Sequence, residues 1–276
     1  MAAKATPTPV PKPRTLQKAN SVLSNVNLKQ KLTDAEYDEQ LKDQQARLAK
    51  LAEEFALLSE DSSVRAIVLT GAGTRAFTAG LDLKELGSEA GALGSANATD
   101  PADNPVKAIE LCRKPVIGAI NGVAITGGFE VALACDVLIA STNARFADTH
   151  ARVGIVPGWG LSQKLSRMIG ISRAKELAFT GNFLDAVTAQ AWGLVNHVVE
   201  PDALIPLARK LAGDMAGIDP AFLANYKRLI DDGYAHSFGD GLALEAERSS
   251  AANSAVAPEE VEARRAAVQE RGRGQG

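Results

Sequence analysis

Apolar positions follow two rhythms along the chain, and the change between them sets the expected architecture. Thr33 with Glu36 forms a capping box, and Tyr37, Leu41, Leu48, Leu51, Phe55 and Leu58 then recur at helical spacing, which predicts an opening helix. Short apolar runs follow at residues 64–69, 115–120 and 137–140, each reading as a buried strand; the first ends at Gly71-Ala-Gly73 and the second at Asn121-Gly122. Helices are expected between them, one reaching about Cys112 and one opened by Gly127-Gly128 and running through Cys135. Alternation with short connections predicts parallel strands crossed by helices. Residues 87–104, rich in Gly, Ala, Ser, Asp and Asn, read as a surface excursion.

From Leu161 the pattern turns helical. Helices are predicted at 161–169, 172–179 and 185–192, the last closed by Gly193, then a short strand at 195–199 and a helix at 202–211. Asp219-Pro220 opens another helix, expected to stop at Gly233, and segments 238–252 and 258–269 complete the set. The reading is a mixed α/β core followed by a helical C-terminal third.

Composition narrows the function classes. Of 276 residues, 46% are hydrophobic and 23% charged, as expected for a globular chain with a large core, and no apolar run approaches the roughly 18 residues a membrane span needs. A net charge of −3 argues against bulk binding of nucleic acid. Cys112 and Cys135 have neither metal-ligand spacing nor the density of a disulfide scaffold, so a reducing compartment, the cytoplasm, is expected. Before the first acidic residue, Asp34, lie Pro7, Pro9, Pro11 and Pro13 and six basic side chains. This leader reads either as a solvated tail or as an organelle transit peptide, which keeps a mitochondrial location open.

Candidate chemistry collects at glycine turns. Gly71-Ala-Gly73-Thr-Arg-Ala76 imitates a dinucleotide fingerprint, but Phe77-Thr-Ala-Gly80 puts another glycine where the helix should run. Three histidines, His150, His197 and His236, are too few for a histidine-rich metal site, and no metal is expected. The second turn, Asn121 to Glu130, ends in paired glycines at a helix start, where unpaired N–H groups suit an oxygen that gains charge; a plain tight turn is the alternative. Glu130 is the only charged residue from Val116 to Cys135. It is either a buried carboxylate with a raised pKa, suited to acid/base work, or a first-turn glutamate with its head in water.

On these motifs the chain resembles the enoyl-CoA hydratase/isomerase (crotonase) family. The matching stretches are Val64-Arg-Ala-Ile-Val-Leu-Thr-Gly-Ala-Gly73, Ala76-Phe-Thr-Ala-Gly-Leu-Asp-Leu83, Lys114-Pro-Val-Ile-Gly-Ala-Ile-Asn-Gly122, Gly127-Gly-Phe-Glu-Val-Ala-Leu-Ala-Cys-Asp136 and Gly154-Ile-Val-Pro-Gly158. The resemblance runs from about residue 60 to the C-terminus. It implies an α/β fold with a crotonase-like ββα spiral core and a helical C-terminal trimerisation region. The chain then divides into an atypical N-terminal segment (1–32), a core (33–200) and a helical region (201–276). Assembly as a homotrimer or a dimer of trimers is implied, with an acyl-CoA substrate and no cofactor beyond its CoA.

The resemblance also assigns roles. The N–H groups of Leu81 and Gly127 would form an oxyanion hole for the thioester oxygen, and Glu130 would orient and activate water. The family's second glutamate sits in a Pro-Glu pair; here that pair is Thr149-His150, so either the His150 imidazole transfers the proton or Asp148 supplies a carboxylate. Substrate contacts are implied at Ala79, Gly80, Asp82 and Lys84, the last as a partner for a CoA phosphate, and at Trp159, which either lines the acyl end of the pocket or anchors the core. Residues 16–32 lack the family's Asn-Arg-Pro turn. His197 and His236 match no catalytic position. Arg264, Arg265, Arg271 and Arg273 could face CoA phosphates, a neighbouring subunit or solvent. The expected activity is enoyl-CoA hydration, with isomerisation or other enolate chemistry, or non-catalytic acyl-CoA binding, as alternatives.

Overall fold

Two strands and a helix, repeated three times, build the core in the computed structural model, which describes residues 50–78, 100–102, 104–254 and 256–274. Helical residues 50–60 (α1) bury Ala52 and Phe55. The first repeat is β1 (Ile67–Thr70), β2 (Ala76–Thr78) and α2 (Pro105–Leu111). The second is β3 (Val116–Ile120), β4 (Val123–Ile125) and α3 (Gly127–Leu133), and the third β5 (Val137–Ser141), β6 (Arg145–Ala147) and α4 (His150–Val153). Each repeat adds one strand to each of two sheets, a spiral. β7 (Leu184–Asp185) and β8 (His197–Val199) finish the sheets, giving the orders β1-β3-β5-β8 and β2-β4-β6-β7. All pairs are parallel except β6 with β7, where Arg145 faces Asp185.

The long central strands are apolar on both faces because both faces are covered. Ile117, Ala119 and Ile139 pack beneath α8 (Pro201–Ala216) through Leu204 and Ala208, while Val116, Ile120, Leu138 and Ala140 join Phe129 and Phe146 in the larger core. Asn121 fastens the turns of adjacent repeats: its side chain receives the Gly71 N–H at 3.1 Å and donates to the carbonyls of Gly71 and Gly73 at 3.0 and 2.7 Å. That fixes the chain just before β2.

Helices α5 (Leu161–Ile169), α6 (Ile171–Thr180) and α7 (Ala186–Ala191) follow, with Leu161, Leu165 and Ile169 of α5 buried at a four-residue spacing. Asp219 caps α9 (Pro220–Ala235) by accepting the Phe222 N–H at 2.8 Å. Lys227 ties α9 to the sheet through Asp136 at 2.8 Å and the Lys114 carbonyl at 3.3 Å. α10 (Phe238–Asn253) and α11 (Pro258–Arg273) bury no residue among those described, and Phe238, Leu242, Val261 and Val268 stand exposed on them. Two ion pairs hold them back onto the chain, Arg248 to Asp232 at 2.8 Å and Arg271 to Asp214 at 3.1 Å.

The expected strands and helices are present within a few residues, with two exceptions. The strands β2, β4, β6 and β7 and the single-turn helix α4 were not anticipated; each strand has two or three residues, too few for any periodicity, and exists because its neighbours supply hydrogen-bond partners. Gly233 does not stop its helix: α9 continues to Ala235, and the His236 N–H closes it on the Gly233 carbonyl. Glycine inside an exposed helix costs only about 1 kcal/mol, and here α10 crosses closely, since a Cβ on Gly241 would stand 3.0 Å from the Gly233 carbonyl oxygen. The capping box at Thr33 and most of the excursion at 87–104 lie outside the described residues; Asn104 is described and caps α2 through the Lys107 N–H at 3.1 Å. Among the described residues no helix is long and apolar enough to cross a membrane.

Candidate active site

The second glycine turn joins β4 to α3 through Thr126. Its φ of 53° and ψ of −114° make it the one non-glycine residue with positive φ among those described. Such a conformation persists only where neighbours hold it. The Thr126 N–H donates to the Ala147 carbonyl at 2.9 Å, and its hydroxyl shares a 2.5 Å hydrogen bond with that of Thr149. A Cβ on Gly128 would lie 2.1 Å from the Thr78 carbonyl oxygen, so only glycine lets α3 sit against the end of β2. Gly127 opens α3 and is buried. Ala79, Gly80, Leu81, Asp82 and Lys84, the other half of the expected site, lie outside the described residues.

All seven residues of α3 are buried, Glu130 among them at 3% exposure. Its head is not in water. Oε1 accepts the main-chain N–H groups of Trp159 at 2.8 Å and Leu161 at 3.2 Å. Leu161 is the first residue of α5, whose N-cap is Gly160 and lacks a capping side chain, so the carboxylate satisfies a donor that the helix start leaves open. Burial pushes the Glu130 carboxyl above its ordinary range and outweighs the two N–H bonds and His150, which pull it down; Asp148 adds to the rise.

The other oxygen, Oε2, lies 3.8 Å from Nε2 of His150. His150 is buried at 6% exposure and begins α4. Its Nδ1 stands 2.7 Å from Oδ1 of Asp148, and its own N–H donates to the same oxygen at 3.1 Å. Asp148 is 2% exposed. The three side chains form one buried row, Asp148–His150–Glu130, with Thr149 between the first two fastened to Thr126.

Lys164 braces the frame. Its ammonium meets Glu110 of α2 at 2.6 Å and the Leu133 carbonyl at the end of α3 at 3.3 Å. Burial alone would raise the Glu110 carboxyl, but Lys164 and Lys107 hold it below its usual range. α5 therefore grips α3 at its middle, through the Glu130 carboxylate, and at its C-terminal end, through Lys164.

Of the expected site residues within the described part, Gly127, Glu130 and His150 share this corner of the fold. The Trp159 ring belongs to the core, and its main chain reaches Glu130. His197 and His236 are exposed, the latter with Nδ1 on the Asp232 carbonyl at 2.6 Å. Sequence reasoning did not single out Thr126, Thr149, Leu161 or Lys164. Two of these act through main chain or strained backbone and leave no side-chain signature; the others lie more than twenty residues from their partners.

The fold is a ββα spiral, and this corner of it sets a buried carboxylate on α3 beside an imidazole at the start of α4. The chain belongs to the enoyl-CoA hydratase/isomerase family, whose model matches residues 31–262. It is 44% identical over 215 residues to an Arabidopsis thaliana protein named "Probable enoyl-CoA hydratase 1, peroxisomal", covering 78% of this chain and 79% of the relative. It is 39% identical over 197 residues to the short-chain-enoyl-CoA hydratase of Clostridium acetobutylicum, covering 69% and 72%. Among solved structures, the enoyl-CoA hydratase from Bacillus anthracis superposes with a TM-score of 0.73 at 32% identity, covering 84% of this chain and 90% of that one.

Proposed function

We propose that this protein is an enoyl-CoA hydratase that adds water across the conjugated double bond of a 2-enoyl-CoA, with Glu130 and His150 as its acid/base pair. The observation that carries the reading is the Glu130 carboxylate, buried, pinned by two main-chain donors through one oxygen and turned toward His150 with the other. A carboxylate held this way loses little freedom when it takes a proton, and its raised affinity for protons brings it nearer the working pH.

In this reading the thioester oxygen lies between the N–H groups of Gly127 and Leu81. Glu130 Oε2 removes a proton from water as its oxygen bonds to C3. The electron pair of the double bond moves through C2 onto the carbonyl oxygen, where the two amides stabilise the enolate. His150 then delivers a proton to C2, and the proton on Glu130 returns to the imidazole. The electrophile is main chain, so the reading needs no metal and no cofactor beyond the CoA of the substrate.

Assembly as a homotrimer or dimer of trimers through the C-terminal helices is supported by the apolar side chains exposed on α10 and α11. The free thiols of Cys112 and Cys135 support a reducing compartment such as the cytoplasm. Hydration of crotonyl-CoA, followed by loss of the conjugated thioester absorbance, tests the function. A fall in turnover of about 10²- to 10⁴-fold in Glu130→Gln is the expected result; equal rates in both proteins would remove Glu130 from the mechanism. A second reading, double-bond isomerisation, rests on the imidazole of His150 standing where the family pattern has its second glutamate. Product analysis with 2-enoyl and 3-enoyl thioesters separates the two.

A further inference from the structure

We propose that Asp148 is a positioning residue that fixes His150 with the proton on Nδ1 and presents Nε2 to Glu130 and the substrate. The inference rests on the acid/base reading above and adds the group that makes an imidazole serviceable there.

The geometry leaves little choice. Oδ1 of Asp148 takes both the His150 main-chain N–H at 3.1 Å and the ring Nδ1 at 2.7 Å. An ionised carboxylate only accepts, so Nδ1 must be the donor. The two bonds close a small ring over residues 148–150 and hold the imidazole against rotation. Thr149, inside that ring, is fastened to Thr126 immediately before Gly127, so the imidazole turn and the start of α3 are set relative to each other. In the neutral ring the lone pair then belongs to Nε2, on the edge 3.8 Å from Glu130 Oε2.

The charges around the ring have a direct consequence. A proton arriving at Nε2 lies between two carboxyl groups, Asp148 behind the ring and Glu130 in front of it. Among the described residues the neighbouring cations are engaged elsewhere. Arg152 of α4 donates to the Thr180 carbonyl, and Lys164 of α5 is bound to Glu110. On α6, which packs on α4, Arg173 lies over the Trp192 ring, and Lys175 and Glu176 are exposed. The site can thus keep one mobile proton shared by His150 and Glu130, which is what protonation at C2 requires. This is the work Asp performs behind a catalytic histidine elsewhere: orientation, tautomer and charge, without taking the proton itself.

The test is Asp148→Asn in the full-length protein. The amide oxygen can still accept from the ring, but the charge is gone. With crotonyl-CoA, kcat should fall roughly 10- to 100-fold while KM moves less than about threefold. A packing role alone would raise KM along with the fall in kcat. Unchanged kcat, or a loss that falls on KM instead, would overturn the proposal.

A second readout needs no turnover and is made on the wild-type protein. The chain has three histidines, so imidazole nitrogen shifts from labelled wild-type protein resolve the tautomer of each, with His150→Gln identifying the relevant signal. Neutral His150 should carry its proton on Nδ1, and a proton on Nε2 would refute the assignment. If wild type turns over no enoyl thioester, the functional reading fails while the tautomer still decides the positioning role.

Discussion

Glu130 has two jobs that different substitutions should separate. Replacement by Ala removes the carboxylate that accepts the N–H groups of Trp159 and Leu161, at a site where Glu130 is 3% exposed. Each lost acceptor costs about 1–3 kcal/mol, so a loss of roughly 2–6 kcal/mol is expected. Glu130→Gln keeps an oxygen for both donors and should fold with nearly wild-type stability. It loses the proton acceptor, which lowers kcat about 10²- to 10⁴-fold, or roughly 3–5 kcal/mol of barrier. The pH dependence provides a further check. Burial, the largest influence, raises the native Glu130 pKa above its ordinary value of 4.5. A raised carboxyl favours folding fully below the unfolded value, and that contribution is lost as pH rises through the native value. Wild type should therefore lose ground to Glu130→Gln across this window, with the difference levelling off above it. Urea unfolding at several pH values and steady-state kinetics with crotonyl-CoA measure both effects. If Gln destabilises as much as Ala, the main-chain anchoring argument is wrong; if Gln keeps wild-type kcat, the acid/base argument is wrong.

The strained turn provides a second comparison: Thr126→Gly relieves the positive φ and offsets its lost hydroxyl, whereas Thr126→Val keeps the strain and loses the bond to Thr149. Val should be the less stable of the two by about 1–2 kcal/mol in denaturant titrations, and the reverse order would show that the hydroxyl pair holds nothing. Gly128→Ala puts a methyl 2.1 Å from the Thr78 carbonyl oxygen, backbone that cannot step aside, and should cost about 1–3 kcal/mol together with most of the activity. Wild-type stability in this variant would mean that α3 and β2 are not in contact. Burial, aided by Asp136, pushes the Cys135 thiol up to about 12. It should react with a disulfide reagent at pH 8 far more slowly in the native protein than in urea, and equal rates would contradict that environment.

Much of this protein is legible in its sequence because the relevant physics is local. The apolar runs of β3 and β5 show strands covered on both faces, and Asp219-Pro220 announces α9 by a cap and a preset φ. Glu130 is conspicuous as one charge within a long apolar stretch, and its burial bears out one of the two readings the sequence left open. The second sheet is not legible. Strands as short as Leu184–Asp185 acquire their geometry only from the strand beside them. Gly233 reads as a helix stop, yet α9 runs on to Ala235 before its cap at His236. The candidate site divides in the same way. Asp148 and His150 are two residues apart, and the chain alone shows two alternative proton carriers; the fold joins them into one unit, with Asp148 behind the ring and Nε2 toward Glu130. The donors that hold Glu130 are amides of residues 159 and 161, and a main-chain N–H has the same identity in every amino acid except proline. What such an amide contributes depends on where it points, and only the packing of α5 across α3 determines that.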